Sequence, residues 1–150
     1  MKKLTKAINA HLASEFQASH TDLAMSIWLR EKDLAGFSQY MLEKSDEERG
    51  HAARMIAYLV DCDETVELPT VEAPERSWAS LQELFDQVYA MKKGVTASIN
   101  RLYGLAESKS DRTATAMLDW FVAEQLQEEA EARFVLKRLR LAHGCLSPEP

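Results

Sequence analysis

The four prolines of this chain stand at positions 69, 74, 148 and 150, so nothing before Leu68 and nothing between Glu75 and Ser147 interrupts a helix with a pyrrolidine ring. Inside a helix, proline removes a backbone hydrogen bond and clashes with the preceding turn, at about 3 kcal/mol or more. Glycines, five in all, are equally sparse. Two such stretches predict an all-α protein with helices over Leu4–Glu31, Ala35–Cys62, Ser77–Glu107 and Asp111–His143. Asp111 is placed to cap the last of these, Arg138 and Arg140 sit in its final turns, and Gly144 is placed to close it. Short joints make the first and last pairs antiparallel hairpins. The segment DCDETVELPTVEAPERS between the second and third helices is too long for a tight turn and suits a connection running the length of a four-helix bundle.

At 150 residues, 46% hydrophobic and 28% charged, the chain is expected to be one globular domain over 1–150. No apolar run approaches the ~20 residues of a membrane span. Asn9 and His11 break up the opening segment before a signal-peptide core can form, so a cytoplasmic protein is expected. A formal charge of −6 with no basic tract disfavours nucleic-acid binding and suits cations. Cys62 and Cys145, far apart and without CxxC spacing, read as reduced thiols.

A bundle helix turns an apolar stripe inward at three- and four-residue steps. Here the stripes are Ile8, Leu12, Glu15, Ser19, Asp22, Ser26, Leu29; Met41, Lys44, Glu48, His51, Met55, Tyr58, Cys62; Leu81, Phe85, Val88, Lys92, Val95, Ile99, Leu102; and Leu118, Phe121, Gln125, Glu128, Ala132, Val135, Leu139, Ala142. Every stripe becomes polar near mid-length. One buried carboxylate reads as a paired charge, but four helices agreeing at one level point to a cation that neutralises carboxylates which would otherwise repel. Glu15, Glu48, His51 and Glu128 are the candidate ligands, with Glu48 and His51 at i and i+3 on one helix face. Carboxylates with one imidazole suit Fe(II), Mn(II) or Zn(II). Met25, Met41, Met55, Trp28 and Trp120 read as packing.

The segments NAHLASEFQ, LAMSIWL, LAGFSQYM, DEERGHAARMIAYL, SLQELF and WFVAEQLQEE resemble the ferritins, in particular non-haem bacterial ferritins of the cyanobacterial type. The resemblance spans about nine tenths of the chain. It implies a ferritin-like bundle with a long crossover, a first iron subsite of Glu15, Glu48 and His51, and a second in which Glu48 bridges to Glu128 beside Gln125. Glu47, Glu124 and Gln127 fall at a more peripheral iron site. Arg49, where haem-binding relatives carry methionine, argues against haem. Three positions depart from the family: Lys92 replaces a glutamate of the second subsite, Asp22 replaces a nearby tyrosine, and the chain stops before a fifth helix. Lys92 and Asp22 are expected to pair across their helices.

The resemblance implies iron binding and storage, with Fe(II) oxidised by O2 or H2O2 at a centre altered in its second subsite. The enzyme would be a ferroxidase of reduced or altered activity. It also implies a homo-oligomer, up to a 24-subunit cage, or co-assembly with another ferritin subunit. The alternative is a non-catalytic ferritin-like subunit in which Lys92 replaces a metal ion. A small di-metal oxygenase or rubrerythrin-like peroxidase fits less well, because the fourth helix lacks its own Glu-x-x-His.

Overall fold

A computed structural model describes the backbone of residues 1–146 and the side chains of residues 1–142. It contains helices α1 (Lys3–Glu31), α2 (Ala35–Asp61), α3 (Leu81–Ser108) and α4 (Arg112–Leu146), with no strand among the described residues. None of these helices is long and apolar enough to cross a membrane.

The helix ends follow from local chemistry. Asp111 caps α4 as expected, its carboxylate accepting the Ala114 N–H at 3.1 Å. The third helix starts at Leu81 instead of Ser77, because Ser80 is the residue that can cap it. The Ser80 hydroxyl accepts the Glu83 N–H at 3.0 Å while the Glu83 carboxylate reaches back to the Ala79 N–H at 2.9 Å. Helices α1, α2 and α3 all end alike, with Asp33, Asp63 and Ser110 in the left-handed region at φ 61°, 56° and 52°. In each case the next N–H closes back five residues, Leu34 to Leu29, Glu64 to Leu59 and Asp111 to Ala106, at 2.8 to 3.0 Å. Gly144 does not close α4, which runs on to Leu146. The Cys145 thiol lies outside the described side chains.

Helices α1 and α2 are drawn together by two reciprocal serine clasps. Ser19 and Ser45 exchange hydroxyl-to-carbonyl bonds at 2.8 and 2.7 Å, and Ser26 and Ser38 do the same at 2.7 and 2.8 Å. The pairing 19 with 45 and 26 with 38 makes this hairpin antiparallel. The long connection then runs back along α1. Asn9 pins it at Thr65 and Glu67, Gln17 pins it at Glu72, and Trp78 arrives edge-on against Trp28, with ring centroids 5.7 Å apart. Crossing the full length this way makes α2 and α3 parallel, while α3 and α4 form the second antiparallel hairpin.

Two apolar clusters fill the bundle. One gathers Ile8, Leu12, Met55, Leu59, Ile99, Leu118 and Phe121 towards one end; the other gathers Met25, Leu29, Met41, Leu84, Phe85 and Leu136 towards the opposite end. Between them lies a buried polar layer of Glu15, Asp22, Lys44, Glu48, His51, Lys92, Gln125 and Glu128. The stripes predicted this layering. They overreach at their ends, where Cys62 and Ala142 are exposed: Cys62 caps α2 beyond its last turn, and Ala142 lies where α4 has outrun the other helices.

Candidate metal centre

Four helices place their polar residues in the middle layer because each carries them at the same height on its inward stripe. Donor atoms of Glu15, Glu48 and His51 lie within 4.8 Å of one another. His51 Nδ1 is 3.7 Å from Glu15 Oε2 and 3.3 Å from Glu48 Oε2. These three atoms, together with Glu128 Oε2, are buried without a hydrogen-bond partner. The Glu128 oxygen has the Lys92 ammonium 2.7 Å away, so the other three face only one another. An unsatisfied buried polar atom costs about 1 to 3 kcal/mol. Three converging on one point, two anionic and one imidazole, form a donor set that a divalent transition metal would satisfy.

Lys92 comes to this layer from α3. Its ammonium pairs with Glu48 Oε1 and with Glu128 Oε2, placing a fixed positive charge between the two carboxylates expected to share a second metal. The expected Asp22–Lys92 ion pair does not form; the lysine stem reaches down the bundle to Glu48 and Glu128 instead. Gln125 is buried beside this lysine. Its amide nitrogen donates to the Lys92 carbonyl and to Thr96 Oγ1, both at 3.3 Å, so it ties α4 to α3 behind the lysine.

The electrostatics follow from these contacts. Burial would raise the Glu15 carboxyl, but the hydrogen bond with His11 and the nearby His51 ring outweigh it and hold it far below the ordinary carboxylate range. Burial would lower the Lys92 ammonium, but Glu48 and Glu128 outweigh it and push it above its usual value. Glu128 is likewise lowered, its burial outweighed by Lys92 and Lys44. Against its own burial, His51 is pushed up to about 10 by Glu15 and Glu48. Asp22 goes the other way: burial, with Glu48 and Glu128 nearby, raises it well above an ordinary aspartate.

The more peripheral candidates are less buried than the central trio: Glu47 and Gln127 are exposed and Glu124 is half-buried. Lys44 engages Glu47 at 3.2 Å. Glu124 approaches His51 and Glu128, with donor atoms within 4.8 Å. Lys44, on the inward stripe of α2, also bonds Glu131 at 2.7 Å, and Tyr40 donates to the same carboxylate at 2.6 Å.

One residue of the layer was missed by reasoning from sequence. His11, one turn before Glu15, places Nε2 2.8 Å from Glu15 Oε1 and Nδ1 2.6 Å from Ser98 Oγ. The i, i+4 spacing of His11 and Glu15 on an inward face was the available signal. Trp120 and Phe121 wall the other side, their rings 5.5 and 5.9 Å from the His51 ring, and Arg54 stacks on Trp120 at 3.8 Å. Trp28 and Trp120 thus pack as expected, and Met25, Met41 and Met55 are fully buried.

Comparison with known proteins agrees with this architecture. The ferritin-like domain matches residues 5–142. A bacterial non-heme ferritin of Campylobacter jejuni is 33% identical over 145 residues, 95% of this chain and 87% of the relative. One from Bacteroides fragilis is 28% identical, covering 94% of this chain and 89% of the relative. Among solved structures, an open pore ferritin from the hyperthermophilic archaeon Archaeoglobus fulgidus superposes with a TM-score of 0.92 at 32% identity, covering 94% of this chain and 86% of that one. With the ferritin-like domain spanning nearly its whole length and its backbone superposing closely on a solved ferritin at 32% identity, the chain belongs to the ferritin family.

Proposed function

We propose that this protein binds and stores iron, taking Fe(II) at a single intra-bundle position held by Glu15, Glu48 and His51. The observation that carries this reading is the convergence of three buried, unpartnered donor atoms on one point. Fe(II) supplies an electron to O2 or H2O2 when it is oxidised there. The residues present one oxygen from each carboxylate and one imidazole nitrogen, leaving room for the oxidant, while Trp120 and Phe121 keep one side of the imidazole dry. Non-heme ferritin relatives support iron as the cargo, and no haem is invoked.

At the second subsite, Lys92 takes the place of a metal ion. Its ammonium supplies one of the charges that Glu48 and Glu128 require. The same contact favours a second reading, a non-catalytic subunit that assembles with an active ferritin chain. Stopped-flow measurement of Fe(II) oxidation under air separates the two. An oxidation rate well above buffer, lost in Glu48→Ala, supports the active centre, and a rate equal to buffer supports the non-catalytic subunit. We place the protein in the cytoplasm as a homo-oligomer.

A further inference from the structure

Each carboxylate of the trio has one oxygen already taken. Glu48 Oε1 is held by the Lys92 ammonium, and Glu15 Oε1 by His11 Nε2 at 2.8 Å. The free oxygens, Glu15 Oε2 and Glu48 Oε2, are the two that turn towards His51 Nδ1. His11 can hold its carboxylate firmly because it is itself fixed. Its side chain is buried, and Ser98 Oγ on α3 engages the opposite ring nitrogen at 2.6 Å. A bidentate Glu15 would have to break the His11 bond and leave a buried imidazole nitrogen unpaired.

We propose that His11 is a positioning residue that, braced by Ser98, restricts Glu15 to one metal-facing oxygen and so makes the centre a three-donor site selective for transition metals. This rests on the metal reading of Glu15, Glu48 and His51. With only three protein donors of mixed oxygen and nitrogen type, the site suits Fe(II), Co(II) or Zn(II), and poorly matches Ca(II), which takes six to eight oxygens. The groove between α1 and α3, lined by Ala7, Ala10, Ser14 and Ser98, comes up against His11 from outside. His11 therefore also stands between Glu15 and solvent on that side.

Co(II) is the probe, because its visible absorption weakens as coordination number rises. The unaltered protein is expected to bind one Co(II) per chain with the spectrum of a low-coordinate ion. His11→Ala should lower Co(II) and Zn(II) affinity by roughly 10- to 100-fold, the range for loss of a ligand-orienting partner. It should also weaken the visible band as Glu15 becomes bidentate, and improve Ca(II) binding relative to Zn(II). His11→Gln, which keeps a donor at similar reach, should restore most of the affinity and the spectrum. Ser98→Ala should shift both in the direction of His11→Ala by less, and it decides the matter if His11→Ala fails to fold. Affinity and spectrum unchanged in the folded His11→Ala, or in Ser98→Ala where His11→Ala does not fold, would overturn the role of His11. Absence of Co(II) binding by the unaltered protein, as by Glu48→Ala, would instead overturn the metal centre itself and this inference with it.

Discussion

A buried lysine among four carboxylates decides how the middle layer behaves. Lys92 joins Glu48 to Glu128, so Lys92→Ala leaves two carboxylates uncompensated and should destabilise the metal-free protein by about 3 to 5 kcal/mol in chemical denaturation. Lys92→Glu exchanges the ammonium for a third acid beside the same pair. Iron occupancy should then rise from about one to about two per chain, at the expense of metal-free stability; anaerobic Fe(II) titration followed by calorimetry counts the ions. His51 sets the pH dependence. Its folded value of about 10 lies above the ordinary 6.5, so the stability it contributes is complete below 6.5 and is lost as pH rises through about 10. A metal needs the imidazole without that proton. Binding at neutral pH should therefore release about one proton per ion and tighten as pH rises, which calorimetry in buffers of different ionisation enthalpy detects. Asp22 has the same sign: its raised folded value means that its stabilising share is present below the unfolded aspartate range and is lost as pH rises through the folded value. Asp22→Asn should raise the denaturation midpoint near pH 7 and leave it little changed near pH 4. Glu15, Glu48, His51 and Glu128 were legible in the sequence because helical period alone puts them on one inward face. The partner of Lys92 was not, because a long side chain chooses among acids a turn or more apart by reach. Nor was the function of His11, since a histidine on an apolar face is usually a packed core residue.

Element boundaries were legible where a start signal was local and illegible where the stop was made by geometry. Asp111 announced α4, whereas the reciprocal Ser80 and Glu83 cap of α3 lies in SLQE, three residues beyond Ser77, which offers the same capping hydroxyl. The helix stops could not be read from glycine, since three helices close on left-handed Asp33, Asp63 and Ser110. Aspartate tolerates this conformation through its short polar side chain, and serine tolerates it less well. Ser110→Gly is accordingly expected to stabilise the protein by up to about 1 kcal/mol, relief of the left-handed penalty being partly offset by the greater freedom of glycine in the unfolded chain. Urea denaturation gives the number. A loss of stability would mean that the Ser110 side chain contributes more than its backbone costs.

At the scale of the whole molecule, the two apolar clusters and the polar layer between them explain the interior, but not the apolar residues left outside. Leu23 and Ile27 on α1 are 37% and 53% exposed, and Leu42 and Val60 on α2 are 37% and 61% exposed. Isolated exposed leucines are ordinary. These occur on the same hairpin, and Leu23 and Ile27 are one turn apart on α1, so this helix carries a short apolar patch on its outer side as well as its inner stripe. Sequence patterning could not separate the two roles, because a residue buried by a second copy and one buried in its own core carry the same hydrophobic signal. A surface of this kind is expected to be covered by self-association, in keeping with the homo-oligomer proposed above. Light scattering at micromolar concentration should therefore report a particle several times the 17.0 kDa of one chain. Ile27→Glu places a charge in the middle of the α1 face and leaves the interior, including Met25, Leu29 and the metal ligands, untouched. It should reduce the particle size while preserving helicity by circular dichroism and one bound metal per chain. A monomeric unaltered protein would refute self-association, and an unchanged particle in folded Ile27→Glu would move the contact away from this face of α1.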